Sequence, residues 1–170
     1  MRVLGIDPGT AVLGFGVVES GAGRHPRLLE CGTLTTPPHD PLPARLRLIH
    51  EGITALLSRH QPDALAVESA FYGKNVRTTV VLSHARGVIL LAAEQHGVQI
   101  AEYSPAQVKK TIVGRGGALK PQVGYMVAQL LRLQSAPQPA DAADGVAVAL
   151  AHLILASRRA VFFRQVAGTR

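Results

Sequence analysis

Hydrophobic residues alternate with polar or small residues in three segments near the N-terminus, a pattern that predicts β-strands. We expect these strands at residues 2–7, 12–19 and 27–35. The first two are joined by the turn DPGT, and the third ends at TTPPHDPLP, where prolines prevent a strand from continuing. Gly14 and Gly16 leave one face of the second strand bare. This indicates either a close approach by backbone or ligand, or simple tight packing.

The middle of the chain alternates between helical spacing and short apolar runs. Asp40 is placed to cap a helix that has Pro41 in its first turn. Apolar residues then recur at helical spacing, namely Leu46, Ile49, Ile53, Leu56 and Leu57. The runs ALAVE and VQIAEY predict two more strands, and a helix over residues 76–96 that stops at Gly97 lies between them.

Helix signals dominate the C-terminal part. Ser104 and Gln107 are spaced as a capping box, with Pro105 at the first helical position. After the glycine-rich stretch GRGGALKP we expect a helix over 121–133, then the linker SAPQP and a last helix over 140–157. This order of elements predicts an α/β fold, a mixed five-stranded sheet with helices on both faces.

Four acidic residues stand at the ends or starts of these apolar elements. Asp7 ends the first strand and Glu68 ends the fourth, while Asp141 and Asp144 are three residues apart on one face of the last helix. Each acid alone has a structural explanation, such as a turn at Asp7, an exposed strand end at Glu68 or helix capping at Asp141. Together these explanations require four coincidences, so a shared site is the preferred hypothesis.

Four carboxylates in one pocket would repel each other unless cations balanced their charge. Oxygen ligands select hard ions, so we expect Mg²⁺ or Mn²⁺. Two such ions per site, flanking a phosphodiester, would activate a water and stabilise the leaving oxygen in an in-line displacement. The acids therefore predict a metal-dependent phosphodiesterase.

Composition indicates an anionic partner. The chain has 18 Lys and Arg against 11 Asp and Glu, a formal net charge of +7 and a pI near 10.3. With 170 residues, 47% of them hydrophobic, one domain spanning residues 1–170 is expected, with residues 158–170 forming a basic tail. That tail could bind DNA, pack on the core or fray.

Nothing in the sequence predicts secretion or membrane insertion. Cys31 is the only cysteine, and the first residues lack the pattern of a signal peptide. The most apolar segment, residues 142–157, is judged too short to span a bilayer. We therefore expect a cytoplasmic protein that makes no contact with a membrane.

Two groups of residues are predicted to contact nucleic acid. The first follows the strand that ends at Glu68 and consists of Phe71, Tyr72, Lys74 and Arg77. Aromatic residues beside cations in an exposed loop suit base stacking and phosphate contact, although a loop folded onto the core explains them equally well. The second group brackets the glycine-rich stretch and consists of Lys109, Lys110, Arg115 and Lys120. An ordinary solvated basic loop is the alternative there.

Five motifs in sequence order resemble those of one family. GIDPGT at residues 5–10, ESAFYGKN from Glu68, QVKKTIVG from Gln107, GGALK before Pro121 and ADAADG from Ala140 are similar to motifs of the RuvC family of bacterial Holliday-junction resolvases. The resemblance covers nearly the whole chain except the last dozen residues. It implies a ribonuclease H-like fold, a homodimer, and an endonuclease that makes paired nicks across a four-way DNA junction, leaving 5′-phosphate and 3′-hydroxyl ends.

The same resemblance implies roles for particular residues. It identifies Asp7, Glu68, Asp141 and Asp144 as the metal-binding catalytic acids. It implies that Phe71 stacks on bases near the junction centre, that Lys109 and Lys120 contact the backbone near the cleaved bond, and that Lys120 helps to stabilise the transition state. Cooperation with the branch-migration proteins RuvA and RuvB is implied as well.

Two alternative functions compete with a junction nuclease, and the dimer interface has two possible explanations. GIDPGT also resembles the phosphate loop of sugar kinases and chaperone-type ATPases, but those proteins clasp a nucleotide between two such domains. A junction-binding module without catalysis is disfavoured, because uncompensated carboxylates would weaken binding to phosphate. The apolar helix over residues 80–93 is the expected dimer interface, and burial in the core explains its composition equally well.

Overall fold

The fold is a mixed five-stranded sheet between two helical layers. A computed structural model describes residues 1–21, 25–69 and 76–167, with side chains through Arg158. Within those residues the strands are β1 (Arg2–Asp7), β2 (Val12–Ser20), β3 (Pro26–Thr35), β4 (Ala64–Glu68) and β5 (Gln99–Tyr103). The helices are α1 (Leu42–His60), α2 (Val76–Gln95), α3 (Pro105–Val113), α4 (Lys120–Leu131) and α5 (Ala140–Ala167).

The strand order is β3-β2-β1-β4-β5, and it places the ends of β1 and β4 side by side. β1 pairs antiparallel with β2 and parallel with β4, with Ile6 opposite Val67. The next residues along the two parallel strands are Asp7 and Glu68, which brings both acids to the same edge of the sheet. The predicted mixed sheet with helices on both faces is confirmed.

Two hydrophobic layers lie on opposite faces of the sheet because successive strand residues point to opposite sides. Leu4 and Ile6 belong to the layer under α1 and α2. Val3 and Ala66 belong to the layer under α3, α4 and α5. The chemistry predicted from the acids lies on the second side, because α5 carries two of those acids.

Glycines let α5 lie unusually close to the sheet. A Cβ added at Gly16 would be 2.6 Å from the Cα of Val146, and a Cβ added at Gly145 would be 2.6 Å from the Cα of Phe15. Gly5 meets the backbone of α5 in the same way, at Gly145 and Ala149. The bare strand face therefore marks a close backbone approach, and the start of α5 is held against the strand that ends at Asp7.

Several local predictions can be compared with the structure directly. The capping box is present, because Gln107 N donates to Ser104 Oγ at 3.2 Å and Ser104 N donates to Gln107 Oε1 at 2.8 Å. The predicted cap at Asp40 is wrong: Pro41 is the N-cap of α1 and no side chain caps it. Helix α4 ends earlier than predicted, at Leu131, because Arg132 adopts a left-handed conformation with φ of 55°.

The prediction that the last apolar segment is too short to span a bilayer is wrong, because α5 continues to Ala167. Both Val76–Gln95 and Ala140–Arg158 are long and apolar enough to cross a bilayer by composition alone. However, half of the α5 window is buried inside the fold, where Val146, Val148 and Leu150 pack against the sheet. Burial in the protein core thus explains the apolar character of α5. Only 22% of the α2 window is buried, so this helix has an exposed face.

Candidate active site

Three of the four predicted acids form one cluster. Asp7 leaves the end of β1, while Asp141 and Asp144 lie in the first turns of α5, directly above it. Carboxylate oxygens from these three residues lie within 4.8 Å of one another. The close packing of α5 on β1 and β2 is what places acids from the two ends of the chain at this distance.

Glu68 lines the same cleft from the neighbouring strand but is outside the tight cluster. The cleft has a volume of about 140 Å³, and Asp7, Glu68 and Asp144 all line it. All four acids are half-buried. The structure therefore brings the four acids to one place, with Glu68 at a greater separation than the other three.

Two lysines bring positive charge to the cleft. Lys120, the first residue of α4, donates from Nζ to Asp144 Oδ2 at 2.6 Å, and its own side chain is 71% exposed. Lys109 of α3 also lines the cleft. The capping box at Ser104 fixes the start of α3, which sets the position at which Lys109 projects.

Asp7 and Glu68 are protonated more readily than exposed carboxyls. Burial, together with the negative charges of Asp144 and Asp141, raises the pKa of Asp7 to about 6 against the opposing charge of Lys120. Burial likewise raises the pKa of Glu68 to about 7, with contributions from Asp7 and Asp144 against those of Lys120 and Lys109. The hydrogen bond to Asp144 raises the pKa of Lys120 above its usual value. Excess negative charge is thus concentrated in the cleft, which is the electrostatic environment of a cation site.

The donor set fits a hard divalent cation. Asp7, Asp141 and Asp144 present only oxygen donors, spaced closely enough to share an ion. Such donors suit Mg²⁺ or Mn²⁺, which prefer carboxylates and retain waters. Bound there, a divalent cation would supply the positive charge that the two lysines only partly provide.

The other predicted contact residues are separated from this cleft or lie outside the described residues. Phe71, Tyr72 and Lys74 fall in the segment that the structure does not describe. Arg77 is exposed in the first turn of α2. Lys110 lines a different groove, between α3 and residues Leu155 and Arg158 of α5. Arg115 donates to Oε1 of Gln122 in α4 at 3.0 Å. Their contacts with DNA stay predictions.

The role of glycines in positioning the acids of α5 was not predicted from the sequence. A Cβ on Gly14 would clash with the carbonyl of Asp141, so that glycine is what admits the first turn of α5 above β2. Gly145 follows Asp144, a position where a better helix former is expected from propensity. The sequence signal for this packing is the presence of glycines on both elements, Gly14 and Gly16 in β2 and Gly145 in α5, because each lets the other backbone come close.

A mixed sheet with acids from the ends of β1 and β4 and from the start of a packed helix defines the class of ribonuclease H-like nucleases. The family model described as "Crossover junction endodeoxyribonuclease RuvC" matches residues 3–152. The chain therefore belongs to the RuvC family of crossover junction endodeoxyribonucleases.

Similar proteins agree over almost the full length of the chain. A crossover junction endodeoxyribonuclease RuvC from Syntrophomonas wolfei is 48% identical over 153 residues, covering 90% of this chain and 88% of the relative. One from Chloroflexus aurantiacus is 49% identical over 152 residues, covering 89% and 92%. The solved structure of Thermus thermophilus RuvC in complex with a Holliday junction substrate has a TM-score of 0.85 and 35% identity, covering 93% of this chain and 96% of that one. The predicted family and fold are confirmed.

The raised pKa values predict how stability depends on pH and metal. Because the folded chain binds protons at Asp7 and Glu68 more tightly than the unfolded chain, the free energy of unfolding without metal should fall as pH rises from about 4 to about 7. For Asp7 the effect is at most on the order of 3 kcal/mol. Thermal unfolding in chelator at pH 5 and pH 8 measures it.

Added Mg²⁺ or Mn²⁺ should offset this loss, with more stabilisation at pH 8 than at pH 5, because the ligands must be deprotonated. Stability in chelator that rises between pH 5 and pH 8 would contradict the described burial of these acids. A metal-induced rise in melting temperature equal at both pH values would contradict their role as ligands.

Proposed function

We propose that this chain cuts four-way DNA junctions by metal-dependent hydrolysis, with Asp7, Glu68, Asp141 and Asp144 as the metal-binding catalytic acids. Family membership supports the nuclease activity, and the Thermus thermophilus relative was solved with a Holliday junction substrate. The observation that carries the assignment to residues is the convergence of three carboxylates within 4.8 Å beside Glu68 in one cleft.

The chain's own groups have distinct roles in this proposal. The four acids hold Mg²⁺ or Mn²⁺, two ions per site, and the rigid start of α5 fixes two of those acids relative to β1. When bound, such ions lower the pKa of a water and neutralise charge on a phosphodiester. Lys109 and Lys120 add positive charge where a phosphate would lie, and Lys120 would exchange its contact with Asp144 for one with DNA. The products are 5′-phosphate and 3′-hydroxyl ends.

A cleavage assay on two substrates tests the proposal. The protein is incubated with a synthetic four-way junction and with a linear duplex of matched sequence, each with Mg²⁺, with Mn²⁺ or with excess chelator. We expect paired nicks in the junction, none in the duplex, and none in chelator. Equal cutting of duplex and junction, or undiminished cutting in chelator, would refute the proposal.

The exposed side of α2 supports a homodimer. Val76, Val80 and Leu91 are large apolar residues that are 74%, 49% and 52% exposed. They line a groove of about 650 Å³ together with Leu46 and Val88. We place a second copy of this chain against the groove. A junction has approximate two-fold symmetry, and a two-fold dimer would present two identical active sites to it. Helix α2 thus serves both the core, through Ala85 and Ile89, and the interface.

A charge placed in this groove should separate the subunits. Val80→Glu would bury a carboxylate in the interface, so we expect the dimer to dissociate at micromolar concentration in sedimentation measurements. Paired nicking should then give way to single nicks. Ala55→Glu, an equal change at an exposed position of α1 outside the groove lining, is the control and should stay dimeric. A dimeric Val80→Glu protein would exclude this face as the interface.

The remaining proposals rest on the family. We place the chain in the cytoplasm, as one domain over residues 1–170 that acts with the branch-migration proteins RuvA and RuvB. The contacts of Phe71, Tyr72, Lys74, Arg77, Lys110 and Arg115 with DNA belong to this group. Their positive or aromatic character and the net charge of +7 support them.

A further inference from the structure

A second cavity adjoins the acidic cleft on the far side of Lys120. It has a volume of about 230 Å³ and lies between the start of α4, the segment 136–138 and the start of α5. Lys120, Val123 and Asp144 line both cavities, and the 2.6 Å contact between Lys120 Nζ and Asp144 Oδ2 lies at the boundary. A nucleic-acid strand that has a phosphate in the acidic cleft and continues past Lys120 would place a neighbouring group beside this second cavity.

The walls of this cavity differ in chemistry from those of the cleft. Apart from Lys120 and Asp144 at the boundary, the lining residues are apolar or carry an amide, and they include Val123, Gly124, Ala136, Pro137 and Gln138. Such a lining accepts an uncharged, flat group that has a hydrogen-bonding edge, and Gln138 supplies a donor and an acceptor for that edge. A phosphate would instead lose its hydration without gaining charge compensation from the inner walls.

The size of the cavity limits the occupant further. Pockets for drug-sized ligands have volumes of about 300–1,000 Å³, so this one admits a single small ring system. The groups that neighbour a phosphate in DNA are the deoxyribose and the base. Of these, the base has both the flat apolar faces and the polar edge that the walls match.

We propose that this cavity receives the base of a nucleotide that flanks the scissile phosphate, and that Ala136 and Gln138 thereby contribute to the base preference of cleavage. The inference rests on the proposed function, because it requires the scissile phosphate to lie at the four acids. It assigns a base-reading role to the segment before α5, which is distant in sequence from the contact residues predicted above.

A substitution that fills the cavity tests the proposal on defined junctions. Ala136→Leu adds bulk to the lining, and Ala55→Leu adds the same bulk at an exposed position of α1 as a control. After the nick has been mapped, junctions are prepared with each of the four bases, or with an abasic nucleotide, on either side of the cut. Cleavage rate and junction affinity are measured for each pair of protein and substrate.

We expect the native chain and Ala55→Leu to lose about tenfold in rate when one of the two flanking bases is removed, the lower range for filling an apolar pocket. Ala136→Leu should cut the intact and abasic junctions at similar, reduced rates while its affinity for the junction stays close to that of the native chain. Gly124→Ala should also reduce the ratio of the cleavage rates on intact and abasic junctions, but by a smaller factor. Its added Cβ would be 3.3 Å from the Cβ of Ala136, and alanine favours the helix, so this variant remains informative if Ala136→Leu does not fold.

Three results would overturn the inference. The first is a native rate that is unaffected by either abasic nucleotide. The second is base dependence that is unchanged in both Ala136→Leu and Gly124→Ala. The third is an Ala136→Leu rate that falls by the same factor on intact and abasic junctions, which would indicate that the cavity holds the sugar or only supports the fold. Failure of the native chain to cut any junction with Mg²⁺ or Mn²⁺ is a separate outcome, and it would overturn the proposed function as well.

Discussion

Asp7→Asn should reduce junction cleavage by about a thousandfold or more, while junction binding is kept or strengthened. Asp7 is the acid that joins β1 to the cluster on α5, and its amide replacement removes an anionic ligand from a site with only oxygen donors. Loss of metal-ion catalysis costs several kcal/mol of transition-state stabilisation, and each ~1.4 kcal/mol is a factor of ten in rate. Binding survives because the substitution also removes a negative charge that faces phosphate.

Cleavage rate and junction affinity must be measured on the same preparation. Asp40→Asn is the matched control, since Asp40 is an exposed acid outside the cluster, and both activities should stay near the native values. Equal loss of binding and cleavage in Asp7→Asn, accompanied by a lower melting temperature, would show that Asp7 supports the fold rather than the chemistry.

Gly145→Ala should destabilise the protein and nearly abolish cleavage, although alanine is the better helix former. Propensity alone would favour alanine by about 1 kcal/mol. The added Cβ, however, would be 2.6 Å from the Cα of Phe15 in β2, and this strand is held between β3 and β1, so its backbone cannot move aside. Overpacking of this kind costs ~1–3 kcal/mol or more, and α5 can relieve it only by moving away from β2. Asp141 and Asp144 would move with it.

Thermal unfolding and junction cleavage together test this prediction. Gly87→Ala in α2 is the control for helix propensity in the unfolding measurement alone, since Gly87 lines the groove proposed as the dimer interface. Its Cβ would meet nothing within 4 Å in the same chain, and its unfolding should be unchanged or occur at higher temperature. If Gly145→Ala were as stable and as active as the native chain, the close approach of α5 would not be what positions its acids.

Much of this architecture could be predicted from local patterns. The alternation around Asp7, the apolar run that ends at Glu68 and the spacing of Asp141 and Asp144 identified the acids, because residues at the ends of buried elements have few places to point. The capping box at Ser104 was equally clear, since its two hydrogen bonds depend only on residues three apart. The register of β1 on β4 and the position of α5 on the sheet could not be predicted in this way. Both depend on contacts between segments that are distant in the sequence.

The errors have physical causes. Asp40 has the chemistry of a cap, but Pro41 already occupies the extended position before α1, so Asp40 is one residue too early. The predicted end of the last helix at Ser157 is wrong, because the chain contains no glycine or proline between Gly145 and Gly168 and α5 continues to Ala167. The relative position of Glu68 and the tight cluster could not be predicted, because it depends on the height of α5 above the sheet.

The division of the core into two layers has a consequence for protein engineering. Every described acid of the cleft is reached from the α5 side of the sheet, whereas Ile49, Ile53 and Ile89 fill the opposite layer and are separated from the cleft by the strands themselves. Thermostabilising changes to that opposite layer can therefore be accumulated without redesigning the chemistry. The catalytic layer offers less freedom, since any side chain added at Gly5, Gly16 or Gly145 would collide with backbone where α5 meets the sheet.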